Sequence, residues 1–300
     1  MTCARKPALR TRGAIVALLL FLPWALARAG ATPDRHCLWE VHGGRNTVYL
    51  LGSVHMLKSA DGALPSEMND AYARSATLVM ELDLNDAGPE SMLGPTVEST
   101  LLPEGQSLSD ILGPRLHAEF MARAEPLGLD PALAERLQPW FAALLLEQLT
   151  LAGSGMAPEA GVDMQLAQRA QLDHKPIIAL ETAAEQLGYF SQLTRAQQLD
   201  FLRTTLDELD NEDSETATMV RAWQHGDVPE LERLMREDAA RSPELYRILT
   251  TERNRKWLPR IVELLNGGQN YLVVVGALHL IGRDGLVELL RQQGYTVVQR

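Results

Sequence analysis

Three hundred residues with 46% hydrophobic and 22% charged side chains make a globular chain with ample core, which excludes a disordered or fibrous one. The formal net charge is -11; five of the basic residues and no acid lie in positions 1–29, so loss of that segment would give -11 - 5 = -16. Such a charge excludes electrostatic capture of nucleic acid or of an anionic membrane surface.

Residues 1–29 read as a signal peptide. Arg5, Lys6, Arg10 and Arg12 precede the fifteen-residue apolar run GAIVALLLFLPWALA, and small residues supply cleavage patterns ending at Ala27 or Ala29. A retained anchor would have to span a bilayer with a run that contains Pro23 and falls short of the roughly 20 residues a helix needs. Export to a periplasmic or secreted location is the expectation, with membrane attachment only through an uncleaved leader. Cys3 leaves with it and Cys37 stays alone, so no internal disulfide is expected; Cys37 alternates with Trp39 and Val41 and reads as a buried strand residue.

Residues 30–300 read as one domain with strands at both ends and a helical middle, over about 100–175 and 182–266. CLWEVH and NTVYLLG flank Gly43-Gly44-Arg45-Asn46, a hairpin signal. Pro65 opens a helix to about Ser75, and TLVMELDL follows as a strand. Ser107 with Asp110 predicts a capping box before ILGPRLHAEFMARA, and LAERLQPWFAALLLEQL has helical apolar spacing. Lys175-Pro176 leads into a short buried strand, IIALE, and Thr182 with Glu185 caps the next helix.

The acidic run LDELDNEDSE (206–215) lacks the glycine and the ligand alternation of an EF-hand, so it reads as a solvated helix end or loop rather than a calcium site. Ser242-Pro243 caps a long helix carrying Arg253, Asn254 and Trp257, bent at Pro259 and stopped at Gly267-Gly268. YLVVVG is the next strand, Asp284 caps GLVELLRQQ, and YTVVQR closes the chain as a strand.

Four of these apolar strands stop at an ionisable group. LLGSVH ends at His55, LVMELD carries Glu81 and Asp83, IIALE ends at Glu181, and VVVGALH ends at His279. In sheets with helical crossovers, ligands bind outside the carboxyl ends of the strands, so the four could share one crevice. Two imidazoles and two carboxylates form a ligand set that suits zinc, manganese, cobalt or iron, with water held beside a second carboxylate as base. Gly52 and Gly276 would let the backbone turn sharply and substrate approach closely. Helix starts at Pro65 and after Asp284 would add positive dipole ends for an oxyanion.

Competing roles are simpler for several residues. Glu81 inside an apolar run needs a partner, and Arg253 is available as a structural ion pair or as a holder of a carboxylate substrate. Asp163 in GVDMQLAQRA reads first as a helix N-cap. Ser53 lacks a Gly-x-Ser-x-Gly setting and has Ala277 as its counterpart in the second segment, so a small side chain explains it. His36, His42, His117, His174 and His225 read as surface or capping residues.

Taken in order, L-W-E-V, L-L-G-S-V-H, L-V-M-E-L-D, G-V-D, L-E-T-A-A-E-Q, E-R-N-R-K-W and V-V-V-G-A-L-H-L-I-G-R-D-G-L-V-E-L-L-R-Q-Q-G-Y-T-V resemble the TraB/GumN family, related to the animal Tiki proteins. The resemblance runs from about Leu38 onward. It implies an α/β (mixed α+β) fold related to erythromycin esterase and ChaN-like proteins, with a central mixed sheet, flanking helices and a site built on two Gly-x-x-His motifs. Tiki proteins act as membrane-tethered, manganese- or cobalt-dependent proteases. Carried across, His55 and His279 are the motif histidines, Glu81 and Glu181 the acidic positions and Arg253 the basic one. The C-terminal anchor of Tiki proteins has no counterpart in the expected elements, which separates this chain from their tethering.

The resulting expectation is a metal-dependent hydrolase acting on a peptide or protein. His55, His279 and either Glu81 or Glu181 would hold a divalent cation (manganese, cobalt or zinc), the other glutamate would activate water, and Arg253 would orient substrate or stabilise an oxyanion. A non-catalytic protein sequestering a peptide or small molecule, and a metal-free esterase using a His and Glu pair, are the alternatives.

Overall fold

The apolar runs identified above assemble into a six-stranded mixed sheet in a computed structural model that describes residues 35–83, 98–209 and 212–300. The expected leader lies outside the described residues, as does the tail of the TLVMELDL segment. No described helix is long and apolar enough to cross a membrane.

Strands β1 (Leu38–His42) and β2 (Val48–Ser53) pair antiparallel across the Gly-Gly-Arg-Asn turn. Strand β3 (Thr77–Met80) follows helix α1 (Ser66–Arg74). Strands β4 (Ile177–Ala179), β5 (Tyr271–Gly276) and β6 (Thr296–Gln299) come from the second half of the chain. The spatial order is β4-β3-β5-β2-β1-β6, parallel from β4 to β2 and antiparallel for β1 with each neighbour. Strand β5 lies between β2 and β3, so N-terminal and C-terminal segments alternate in the middle of the sheet. β2, β3 and β5 are buried almost throughout, which is why they read as continuous apolar runs rather than alternating ones.

The helical middle consists of α2 (Leu108–Ala124), α3 (Pro131–Ala134), α4 (Pro139–Gly153), α5 (Val162–Leu172), α6 (Ala183–Ser191), α7 (Arg195–Glu208), α8 (Glu212–Gln224) and α9 (Val228–Arg241). Leu108, Leu112, Leu116 and Phe120 of α2 bury against Ala143 and Leu146 of α4 and Leu202 and Leu206 of α7, a core separate from the one around the sheet. Stacking of Trp140 on Phe190, at 5.1 Å between ring centroids, is part of a third cluster that includes Leu193 and Ile248.

Several local expectations change. The IIALE strand is three residues long and forms an edge of the sheet, leaving Ile178 exposed rather than buried. Ser107 Oγ accepts the Asp110 N–H, so Ser107 caps that helix where the sequence placed it, while Gly113, with φ of 71°, breaks the helix geometry before Pro114. Thr182 and Glu185 make the full reciprocal box. The long C-terminal helix is instead three pieces: α10 (Pro243–Tyr246), a π-helical turn Arg247–Glu252, and α11 (Arg253–Leu265), and Ser242 caps nothing with its side chain. Gly285, not Asp284, precedes α12 (Leu286–Gln292). The acidic run falls at the end of α7 and the start of α8, with residues 210 and 211 outside the described residues.

Candidate active site

Each of the four parallel strands hands the chain to a polar side chain at its carboxyl end. Across the sheet these are Glu181 after β4, Glu81 after β3, His279 after β5 and His55 after β2. The ladder continues past β3 and β4, where the Glu181 N–H donates to the Glu81 carbonyl at 3.0 Å, and this fixes the two glutamates side by side.

Gly276 marks the centre. A Cβ built there would meet Glu81 Oε1 at 3.5 Å, His279 Cδ2 at 3.5 Å and His55 Nε2 at 3.7 Å. Neither motif glycine has positive φ, so the sharp turn expected of them is not what they supply. Gly52 is needed because a Cβ would stand 2.9 Å from the Ala277 Cα, and Gly276 keeps open a space that three candidate ligands surround.

Arg253, the first residue of α11, is 6% exposed and stands between the glutamates. Its Nη2 donates to Glu81 Oε2 and, at 2.6 Å, to Glu181 Oε1. Its Nη1 donates to the Leu249 carbonyl at 3.1 Å and lies 3.2 Å from His279 Nε2. The guanidinium also stacks over Trp257, 4.6 Å from the ring centroid, and Trp257 packs at 4.7 Å against the His279 ring. Glu81 Oε1 accepts the Gly276 N–H at 2.8 Å and lies 3.9 Å from His279 Nε2. Gln186 Nε2 bridges the glutamates at 3.3 and 3.2 Å.

Two residues complete the cluster, and sequence reasoning gave neither a site role. Asp163 was expected as a helix N-cap, but Gly161 holds that position and the Asp163 carboxylate turns to His55 Nδ1 at 2.8 Å. A Cβ on Gly161 would fall 2.1 Å from the His55 carbonyl oxygen, while the Val162 N–H donates to the Val54 carbonyl at 3.0 Å. The whole Gly-Val-Asp tripeptide therefore clamps the His55 loop. Asn254, fully buried, places Oδ1 2.7 Å from His279 Nδ1, and its Nδ2 donates to the carbonyls of His279 and Asp284 at 3.0 and 2.9 Å.

The charges follow from these contacts. Asp163 lifts the His55 pKa to about 9, against burial that lowers it; with 65% of that side chain exposed, solvent screens part of the effect. Burial pulls the His279 pKa down to about 3, leaving a neutral imidazole near pH 7. For Glu81, burial pushes the pKa up but positive charge from His279, Arg253 and His55 and the Gly276 N–H outweigh it, bringing it to about 2; since His279 is uncharged above about 3, the counter-charge near neutrality rests on Arg253 and His55. Burial raises Glu181, with Arg253 opposing.

Two imidazoles and a carboxylate around a bare Gly276 have the donor chemistry a borderline divalent cation takes. Among the described residues no three His, Cys, Asp or Glu groups converge tightly enough to enclose an ion as they stand, and Arg253 occupies the space between them. Ser53 is buried and its Oγ has no hydrogen-bond partner among the described residues, so no base activates it as a nucleophile. The remaining histidines are elsewhere: His36, His42 and His117 face Glu67, Glu40 and Glu135 at 3.3, 3.3 and 2.7 Å, so these three do have acidic partners.

Fold and cluster together define a mixed α/β protein whose ionisable residues collect at the carboxyl ends of four parallel strands. The chain belongs to the TraB/PrgY/gumN family, whose model matches residues 37–299. It is 26% identical over 248 residues to the uncharacterized protein YbaP of Escherichia coli (strain K12), covering 83% of this chain and 89% of that protein. It is also 24% identical to metalloprotease TIKI1 of Danio rerio, over 83% of this chain and 60% of the relative, and 23% identical to metalloprotease TIKI1 of Homo sapiens, over 93% and 67%. No solved structure matches.

Proposed function

We propose that the chain is an exported hydrolase that cleaves peptide bonds at the cluster of His55, His279, Glu81 and Arg253. The observation that carries the reading is the convergence of both Gly-x-x-His imidazoles and Glu81 on the open face of Gly276. Distant similarity to proteins named as metalloproteases supports the reaction class. His55 Nε2 with its ring neutral, His279 Nε2 and Glu81 Oε1 would hold a divalent cation (manganese, cobalt or zinc), which when bound would supply Lewis acidity at the scissile carbonyl and acidify water.

The protein's own groups do the rest. Arg253 is held charged by Glu81 and Glu181, its pKa raised against the desolvation that would lower it. Four of its five N–H donors are committed to Glu81, Glu181 and Leu249, and the fifth, on Nη1, faces His279 Nε2 at 3.2 Å and would have to leave that nitrogen to reach a substrate oxygen. Glu181 has both oxygens on Arg253 and a side chain with no exposed surface, so it anchors the guanidinium instead of acting on water.

A second reading is favoured by one observation, the contact between Asp163 and an exposed His55. In it His55, backed by Asp163, takes the proton of water without a metal once its own ring proton is lost, so this activity would rise as pH approaches about 9. Incubating the purified protein with a peptide library, alone and with manganese, cobalt or zinc, separates the possibilities by mass spectrometry. Cation-dependent cleavage that disappears in His55→Ala and His279→Ala is expected. Cleavage untouched by chelation supports the metal-free reading, and binding with no cleavage under any condition would show a sequestering protein instead.

A further inference from the structure

The two histidines reach the cluster from unrelated elements, yet each is held by the same ring nitrogen. We infer that Asp163 and Asn254 are positioning residues: each accepts the Nδ1 proton of its histidine, His55 or His279, and so leaves both Nε2 atoms unprotonated, that of His55 on the Gly276 face and that of His279 toward Glu81 and Arg253. The inference deepens the hydrolase reading and rests on it for its catalytic meaning, but the tautomers follow from geometry alone.

The chemistry of each partner settles the direction of its bond. An ionised carboxylate only accepts hydrogen bonds, so the 2.8 Å contact from Asp163 requires a hydrogen on His55 Nδ1. An amide can face either way, and here its other end decides. Asn254 Nδ2 sits against two carbonyl oxygens, those of His279 and Asp284; reversing the amide would put oxygen against both. Oδ1 therefore faces His279, and His279 Nδ1 carries the hydrogen. On the other side of each ring, His279 Nε2 faces Arg253 Nη1 and Glu81 Oε1, and His55 Nε2 lies on the Gly276 face. The two partners differ in one respect. Asp163 brings a full negative charge behind an exposed ring, while Asn254 brings a neutral dipole behind a buried one that shares its surroundings with Glu81 and Arg253. A second carboxylate in place of Asn254 would add charge to a site already holding two buried glutamates, and would leave the two carbonyls without donors.

Long-range proton–nitrogen NMR of the imidazole rings in the metal-free wild-type protein tests this directly, at a pH of about 10 for His55, above the value of about 9 expected for that ring, and near neutrality for His279. Both rings are expected to show a protonated Nδ1 and a bare Nε2. A bare Nδ1 on either ring would overturn the assignment to its partner. In Asp163→Ala the His55 signals are expected to become those of mixed tautomers with His279 unchanged; an unmoved His55 spectrum in that folded variant would reduce Asp163 to a structural residue. Titration with manganese, cobalt or zinc ions alone gives the second readout: a loss of roughly 10–100-fold in affinity for Asp163→Ala, restored in part by Asp163→Glu. If wild type binds no cation while the NMR result holds, the metal-dependent reading fails and the positioning roles stand.

Discussion

Arg253 joins two carboxylates and an imidazole inside the protein, where each charge is tolerated only because the other is present. Arg253→Met would leave Glu81 and Glu181 buried side by side, and a loss of about 3–5 kcal/mol in unfolding free energy is expected, read by urea denaturation. Glu181→Gln keeps the shape and one acceptor, so its cost should be smaller. Acid acts on the same residues. His279, lowered from 6.5 to about 3, stays neutral in the folded chain while the unfolded chain gains a proton, so stability falls as pH drops through that window. Glu81, lowered from 4.5 to about 2, adds a loss between those values, and the raised Glu181 offsets part of it. The thermal midpoint of the metal-free protein is therefore expected to fall steadily below about pH 6.5, and a flat profile down to about pH 3 would contradict the buried neutral imidazole. The residues at strand ends could be read from sequence because a polar group terminating an apolar run is a local signal. Asp163 and Asn254 could not, since an aspartate in a first helical turn and an asparagine on a buried helix face look ordinary until distant segments meet them.

Small elements, rather than long ones, aim these side chains. The π-helical turn Arg247–Glu252 ends where Arg253 begins, and the start of α5 lies against the loop after β2. Two glycines give opposite expectations. Gly161→Ala would drive a methyl group into the His55 carbonyl, costing about 1–3 kcal/mol and shifting the His55 loop, measurable as a lower thermal midpoint together with weaker cation binding. Gly276→Ala meets its neighbours at ordinary contact distances of 3.5–3.7 Å, so the protein should fold with near wild-type stability and yet lose cation binding and turnover. Retained function in folded Gly276→Ala would move the site elsewhere. Periodicity located the strands, hairpin and most helices; it missed the interruption in the C-terminal helix, where no proline or glycine stands at the π turn, and it read IIALE as buried because an apolar edge strand and a central one share a composition.

In the whole molecule, β5 inserts between β2 and β3, so segments from the two ends of the chain become neighbours and the two Gly-x-x-His loops face one another. The separate helical core of α2, α4 and α7 contributes none of these side chains, and the site is built from the strand ends together with α5, α6 and α11. The central claim is that both histidines serve a single reaction centre, and mutant kinetics test it most directly. For the best-cleaved peptide, kcat/KM would be compared among wild type, His55→Ala, His279→Ala and the double variant. One shared centre predicts that the double variant loses no more than the worse single variant. Losses that multiply across the two positions would mean that the histidines act independently, and would contradict the account.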